Sequence, residues 1–352
     1  MSLKLLTLVV FLTGIGVALY SHNYWKDIIE KPRYVNGGSV IFEISKGQNF
    51  TSLLNELKSN GIIDDDFGLN LYAKYTGLRS QIKAGEYRIM PGFTFPSLMK
   101  LFSSGKVVDY PITFVEGWRF TDYMAELQKH SKLKQTLRDS TPAQIASLLK
   151  LTVSNPEGWL FPDTYHYVKG DTDYKVLTQA ADKMKRELER AWQGASKDAP
   201  LKNAYELLIL ASIIEKETAV ELERKKIAGV FASRLKKGMR LQTDPTVIYG
   251  LGEAFDGNLT RKHLTQKTPY NTYRINGLPP SPIAMPGRQS LLAAANPENT
   301  SALYFVAKGD GSHYFSDALA EHNTAVRKFQ INRRKKPYTS TSVKKNNFPV
   351  DK

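Results

Sequence analysis

The chain has no cysteine, which excludes a disulfide-held scaffold and a lipid-modified N-terminal cysteine while leaving the compartment open. Its six histidines are scattered and never form the His-Glu-x-x-His spacing, so a metal mechanism has no ligand set to draw on. A glycine-rich phosphate loop is missing too, since Gly250-Leu-Gly252 is too short to cradle a nucleotide. No cofactor and no metal are therefore expected. No repeat period emerges, which sets aside solenoids and propellers.

What the chain does have is length, positive charge and one long apolar run. Its 352 residues are enough for two or three domains. The formal charge of +15 points to an acidic partner such as an anionic lipid or a cell-wall polymer. Nucleic acid is not expected, because the basic residues are spread along the chain and do not interleave with aromatics. The densest run, Arg333-Arg-Lys-Lys336 with Lys344 and Lys345, falls in a polar stretch and predicts a basic, disordered tail over 333 to 352.

Between residues 3 and 20 the only charge is Lys4. About 18 such residues reach roughly 27 Å as a helix, just enough for a bilayer core. The aromatic residues that follow, Tyr20, Tyr24 and Trp25, fit an interfacial belt behind a retained anchor over 1 to 22. A cleaved signal peptide ending near Gly16-Val-Ala18 is the competing reading.

Residues 23 to 38 read as a juxtamembrane linker ending in Asn36-Gly-Gly38. From 39 to 105 the pattern is strand, helix, helix, strand and a further helix, a small α+β module. It resembles LysM, a domain that holds glycans, in element order and in Lys83-Ala-Gly-Glu-Tyr87. A connecting subdomain over 106 to 155 leads to a main domain over 156 to 332, and the predicted class is α+β.

The most informative stretch is Ala211-Ser-Ile-Ile-Glu-Lys-Glu-Thr218, where two acids end an apolar helix. Burial beside apolar groups raises a carboxyl's pKa toward neutrality, as a general acid needs. Positions i and i+2 point about 200° apart on a helix. The stripe Leu207, Leu210, Ala211, Ile214 continues to Glu217 and Thr218, which favours Glu217 as the acid in a semi-apolar cleft. Glu215 is expected on the solvent side or behind it, and Thr218 beside it. Both acids simply capping a core helix is the plainer alternative.

Three further clusters mix amides, hydroxyls and aromatics with proline turns: Leu241-Gln-Thr-Asp-Pro-Thr246 with Tyr249, Tyr270-Asn-Thr-Tyr273, and Gly277-Leu-Pro-Pro280. Sugar sites use such groups, hydroxyls being read by hydrogen bonds and ring faces by stacking. Gln242, Thr243, Asp244 and Asn271 are candidates for hydrogen bonding to a glycan, and Tyr249, Tyr270 and Tyr273 for stacking.

Together these segments, with Glu-Lys-Glu-Thr218, resemble the endolytic murein transglycosylases, the MltG or YceG-like family. The resemblance implies a catalytic domain of lytic-transglycosylase type that cuts within the glycan strands of peptidoglycan. It further implies an enzyme anchored by a single pass in the bacterial inner membrane, facing the periplasm, near peptidoglycan synthases. Its catalytic glutamate falls on Glu217. One glutamate would serve as acid and then base, splitting the bond between N-acetylmuramic acid and N-acetylglucosamine to leave a 1,6-anhydro end. Two alternatives stay open: a hydrolytic muramidase with Asp244 or Glu215 activating water, and a non-catalytic glycan-binding scaffold.

Overall fold

The computed structural model describes residues 3 to 33 and 38 to 331. The expected basic tail and part of the expected linker lie outside them. Two compact units divide the chain, one of residues 1–110 with 166–171, the other of 111–165 with 172–352.

The first unit begins with α1 (Leu3–Glu30), one uninterrupted helix. Its residues 3 to 20 are exposed, whereas Ile28 is completely buried. This corrects the expected linker: residues 23 to 30 are helix, because Tyr24, Trp25 and Ile28 form an apolar face that packs on the rest of the unit. Strand β1 (Val40–Ile44) follows, then α2 (Phe50–Ser59), α3 (Asp66–Tyr75), β2 (Gly85–Ile89), α4 (Phe95–Ser104) and β3 (Asp109–Thr113). Helix starts match the side chains present, Asn49 accepting from the Ser52 N–H and Asp65 from the Gly68 N–H.

β1 and β2 pair antiparallel from Val40 opposite Ile89 to Ile44 opposite Gly85. Gly85 has φ +143°, and a Cβ there would stand 2.3 Å from Val107 Cγ1, so glycine is required. Phe42, Leu53, Leu57, Leu69, Tyr87 and Phe102 fill the core. The strand, helix, helix, strand order is the expected one. Apolar residues recurring at a period of 2 or 3.6 mark these segments.

The second unit holds α5 (Phe120–Lys129), α6 (Pro142–Leu148), β4 (Thr164–Val168), α7 (Asp173–Gln193), α8 (Ala204–Glu217) and α9 (Glu221–Lys236). β4 pairs with β3, and the boundary between the units falls within both strands. Helix α6 lies within the connecting subdomain expected over 106 to 155 and was not itself expected. Its start was nonetheless written in Thr141-Pro-Ala-Gln144, a capping box with proline in the first turn.

Helix α8 is the centre of the unit. Residues 207 to 214 are all buried, so it is apolar on every side, not along one stripe. It packs against α7, α9, and two helices further along, α10 (Asp244–Leu251) and, after α11 (Arg261–Thr265), α12 (Arg288–Ala295). The hairpin of β5 (Tyr304–Ala307) and β6 (His313–Ser316) follows. The proline-rich chain from 277 to 287 has little regular structure but is fastened along α8. The Ser212 hydroxyl accepts the Ile283 N–H at 3.0 Å, and Glu215 Oε2 accepts the Gly287 N–H at 2.9 Å.

Candidate active site

Glu217 is the last residue of α8, where helix carbonyls point outward and disfavour added negative charge. Its side chain is partly accessible, yet protein atoms surround it on most sides. Burial pushes its pKa up from 4.5 to about 7. The Thr243 hydroxyl bond and the Arg234 charge pull the other way, and the Asp244 charge adds to the rise. Among the described residues its only hydrogen bond comes from the Thr243 hydroxyl to Oε1, which leaves Oε2 without a protein partner.

A buried hydroxyl ladder sets Thr243. Its N–H donates to Thr272 Oγ1 at 3.0 Å, Thr246 Oγ1 donates to the Thr243 carbonyl at 2.8 Å, and the Thr246 and Thr272 hydroxyls lie 2.9 Å apart. Gln242 just before it has φ +51°, a left-handed conformation that costs a non-glycine side chain of order 1 kcal/mol. The ladder and the bond from the Gln242 N–H to the Thr272 carbonyl, 3.2 Å, hold the strained turn. The Gln242 side chain is left exposed.

Thr243 caps the start of α10, and Pro245 sits in its first turn, so Asp244 is delivered beside Glu217 by a helix N-terminus. Tyr273 donates its hydroxyl to Asp244 Oδ1 at 2.7 Å. Arg234, buried in α9, donates to the carbonyls of Leu241 and Leu303, tying the Gln242 turn to that helix.

The other expected residues are differently placed. Asn271 is fully buried, its amide donating to the carbonyls of His263, Leu264 and Gln266 while its oxygen accepts the Tyr273 N–H. It holds the α11 loop and has no polar atom left for a glycan, which corrects its expected role. Tyr249, five residues past Asp244, lies about 7.5 Å further along α10. Its ring meets Tyr270 at 4.9 Å, the Arg119 guanidinium lies 5.1 Å above it, and its hydroxyl reaches Glu157 Oε2 at 3.4 Å. Tyr270 in turn bonds Ser281 at 2.6 Å. Thr218 is buried, its hydroxyl accepting the Val220 N–H at 3.0 Å to turn the chain out of α8.

Of the two placements expected for Glu215, on the solvent side or behind Glu217, the solvent side is not the one observed. The Glu215 side chain is only 6% exposed, Oε1 lies 3.6 Å from Arg224, and Oε2 accepts the Gly287 N–H. The reason is local cover: Arg224 of α9 and the Gly287 backbone close over Glu215, whereas Lys216 beside it is exposed. Nearby Glu116 is raised by its own burial and then by the Glu215 charge, against Arg224.

Sequence reading missed Glu157. It is 4% exposed, accepts the Phe120 N–H, and is pushed up to about 7 by burial, against the Phe120 bond, Arg119 and Tyr249. A signal was present, since Glu157 opens the apolar run Gly158-Trp-Leu-Phe161, the same context that singled out Glu217. Thr246 and Thr272 were in quoted motifs, but nothing in their residue type foretold a shared ladder. Among the described residues no group of three His, Cys, Asp or Glu side chains is placed to hold a metal.

The YceG-like family model matches residues 42–328. This chain belongs to the YceG-like family. It is 33% identical over 323 residues to an endolytic murein transglycosylase of Bacillus subtilis (strain 168), covering 87% of this chain and 89% of that one. A second protein of that name, from Streptococcus pneumoniae serotype 2, is 27% identical over 80% of this chain and 57% of its own length. The crystal structure of a YceG-like protein from Listeria monocytogenes superposes with a TM-score of 0.54 at 32% identity, covering 81% of this chain and 98% of that one. The family match spans the whole Glu217 site and both tyrosine clusters.

Proposed function

We propose that this YceG-like protein is a membrane-anchored endolytic transglycosylase that cuts peptidoglycan glycan strands between N-acetylmuramic acid and N-acetylglucosamine. The observation that carries the reading is Glu217: a partly accessible carboxyl, near neutrality, tethered through one oxygen and free at the other. Protonated, it donates from Oε2 to the glycosidic oxygen as the bond to the anomeric carbon breaks, while the substrate's acetamido group stabilises the charge there. The carboxylate left behind then takes the proton of the muramyl 6-hydroxyl as that oxygen bonds to the anomeric carbon, closing the 1,6-anhydro ring. One group acting in both directions needs a pKa close to the working pH, and burial supplies it.

Thr243 keeps Oε1 occupied, so the reactive oxygen has one orientation. Asp244 with Tyr273 and the exposed Gln242 are the groups beside Glu217 that suit sugar hydroxyls and acetamides. Tyr249 and Tyr270 offer ring faces further along α10. Glu215 is unsuited to activating water, because its oxygens already serve Gly287 and Arg224. α1, with 18 consecutive residues of high mean hydropathy and none buried, serves as the single-pass anchor, the rest lying on the periplasmic side. The β1 to β2 module would hold glycan near the membrane.

Mass spectrometry of products from purified peptidoglycan tests the proposal. Internal cuts with anhydromuramyl ends are expected. Reducing ends would assign a muramidase, and intact strands with bound protein a scaffold.

A further inference from the structure

Helix α3 has an apolar face that its own unit does not cover. Leu69 and Ala73 point into the core, whereas Phe67 is 67%, Leu71 39% and Tyr75 78% exposed. Their spacing, i, i+4 and i+8, places all three on one side of the helix. Isolated exposed apolar residues are ordinary, as Leu222 is in the other unit, but three in a row on one helix form a patch.

The patch is fixed to α1. Tyr24 donates its hydroxyl to Asp65, the residue capping α3, at 3.0 Å. Trp25 meets the Tyr75 ring edge-on at 5.3 Å, and the buried Ile28 lies against Gly68. Phe67 and Leu71 line one concave surface with Tyr20, Ser21, Tyr24 and Trp25. α1 therefore sets the height of α3 above any membrane it spans.

That height follows from helix geometry. If residues 3 to 20 fill the hydrocarbon, Tyr24 and Trp25 sit roughly 6 and 7.5 Å beyond its edge, at 1.5 Å per residue. The headgroup layer is about 5 to 7.5 Å deep on each side. Phe67 and Leu71, sharing a surface with Tyr20 and Tyr24, stand at that level. Interfacial helices put Phe, Leu and Tyr there; in α3 Asp66 lies on another face, while Lys74, three residues past Leu71, borders the patch, where its stem can lie along apolar surface and its ammonium can meet lipid phosphate.

We propose that the Phe67, Leu71, Tyr75 face of α3 lies in the headgroup layer of the bilayer that α1 spans, so that the first unit rests on the membrane surface. The occupant is lipid and not a second protein, because the patch is continuous with the exposed apolar surface of the anchor. The proposal depends on the anchor reading given above.

The absence of native cysteine makes the test clean. Full-length protein carrying Phe67→Cys, Leu71→Cys, Gly14→Cys or Leu222→Cys, each labelled with one fluorophore, is reconstituted into phosphatidylcholine and phosphatidylglycerol vesicles. Quenching by headgroup-nitroxide lipids is compared with quenching by iodide. All four positions are exposed, so the fold should tolerate them, and a Tyr75→Cys label gives a further reading of the face. Labels at 67 and 71 should be quenched by lipid at least about threefold more than at 222, with iodide access reduced. If the label at 14 is lipid-embedded while those at 67 and 71 behave like 222, the docking is wrong and the anchor stands. If the label at 14 is also in water, the anchor reading falls and the docking with it. Protection from iodide without lipid quenching overturns the proposal in favour of a second copy of the chain.

Discussion

Glu215 and Glu217 leave α8 two residues apart and meet opposite surroundings. Around Glu215 every polar atom is committed: an arginine beside one oxygen, a backbone N–H on the other, a glycine packed so tightly that a Cβ would strike Glu116. Around Glu217 the partners are few, a single hydroxyl and a distant guanidinium, and burial wins. Burial without enough compensating charge and hydrogen bonds raises a carboxyl toward neutrality, as at Glu217, and that is what suits it to the proposed acid role.

The sharpest way to break this comparison is Glu217→Gln. It keeps size and the Thr243 contact but cannot carry the proton, so strand cleavage should fall by about 10⁴-fold with the melting temperature unchanged or higher. Product release from peptidoglycan, followed by mass spectrometry, reads it.

Glu215→Gln should do the reverse. It leaves Arg224 inside the protein facing a neutral partner, which should cost about 2 to 3 kcal/mol in chemical denaturation. Activity per folded molecule should fall far less than for Glu217→Gln. Equal inactivity with an unchanged melting temperature would move the acid role to Glu215.

Thr243→Val removes the one bond that favours charged Glu217. The pKa should then rise above about 7, so the protonated acid survives to higher pH. The alkaline limb of the activity profile should move upward while the maximal rate falls about tenfold from lost orientation. An unmoved limb would mean that Thr243 does not hold Glu217 in solution.

The smallest effect concerns Glu157, the second acid at about 7. An acid at 4.5 when unfolded and about 7 when folded binds more protons in the folded state between those values, so stability falls as pH rises through that window. Glu157→Gln removes its share. The melting temperature of the variant relative to the parent should climb from pH 4.5 to 7 and level off above. A constant difference would place Glu157 outside this class of strained acids.

Periodicity made most of the fold legible. β1, α2, α3, β2 and α7 each repeat an apolar residue at one spacing and are closed by a cap, a glycine or a proline. α6 and α10 were missed because each is eight residues or fewer, too short for a period to show. Only their Thr-Pro and Thr-Asp-Pro starts gave them away.

The sequence by itself determined that a carboxylate near residue 217 would stand at the end of a buried helix, since a run as apolar as 207 to 214 has nowhere else to go. It also determined the family, through motifs whose order is specific. Only the tertiary structure decided which surroundings each polar side chain would meet. Asn271 and Tyr273 look alike as glycan ligands in a line of text. One is spent on three backbone carbonyls and the other turns its hydroxyl to Asp244. Hydrogen bonds and charge compensation depend on groups brought together from distant segments, and local spacing carries no record of those meetings.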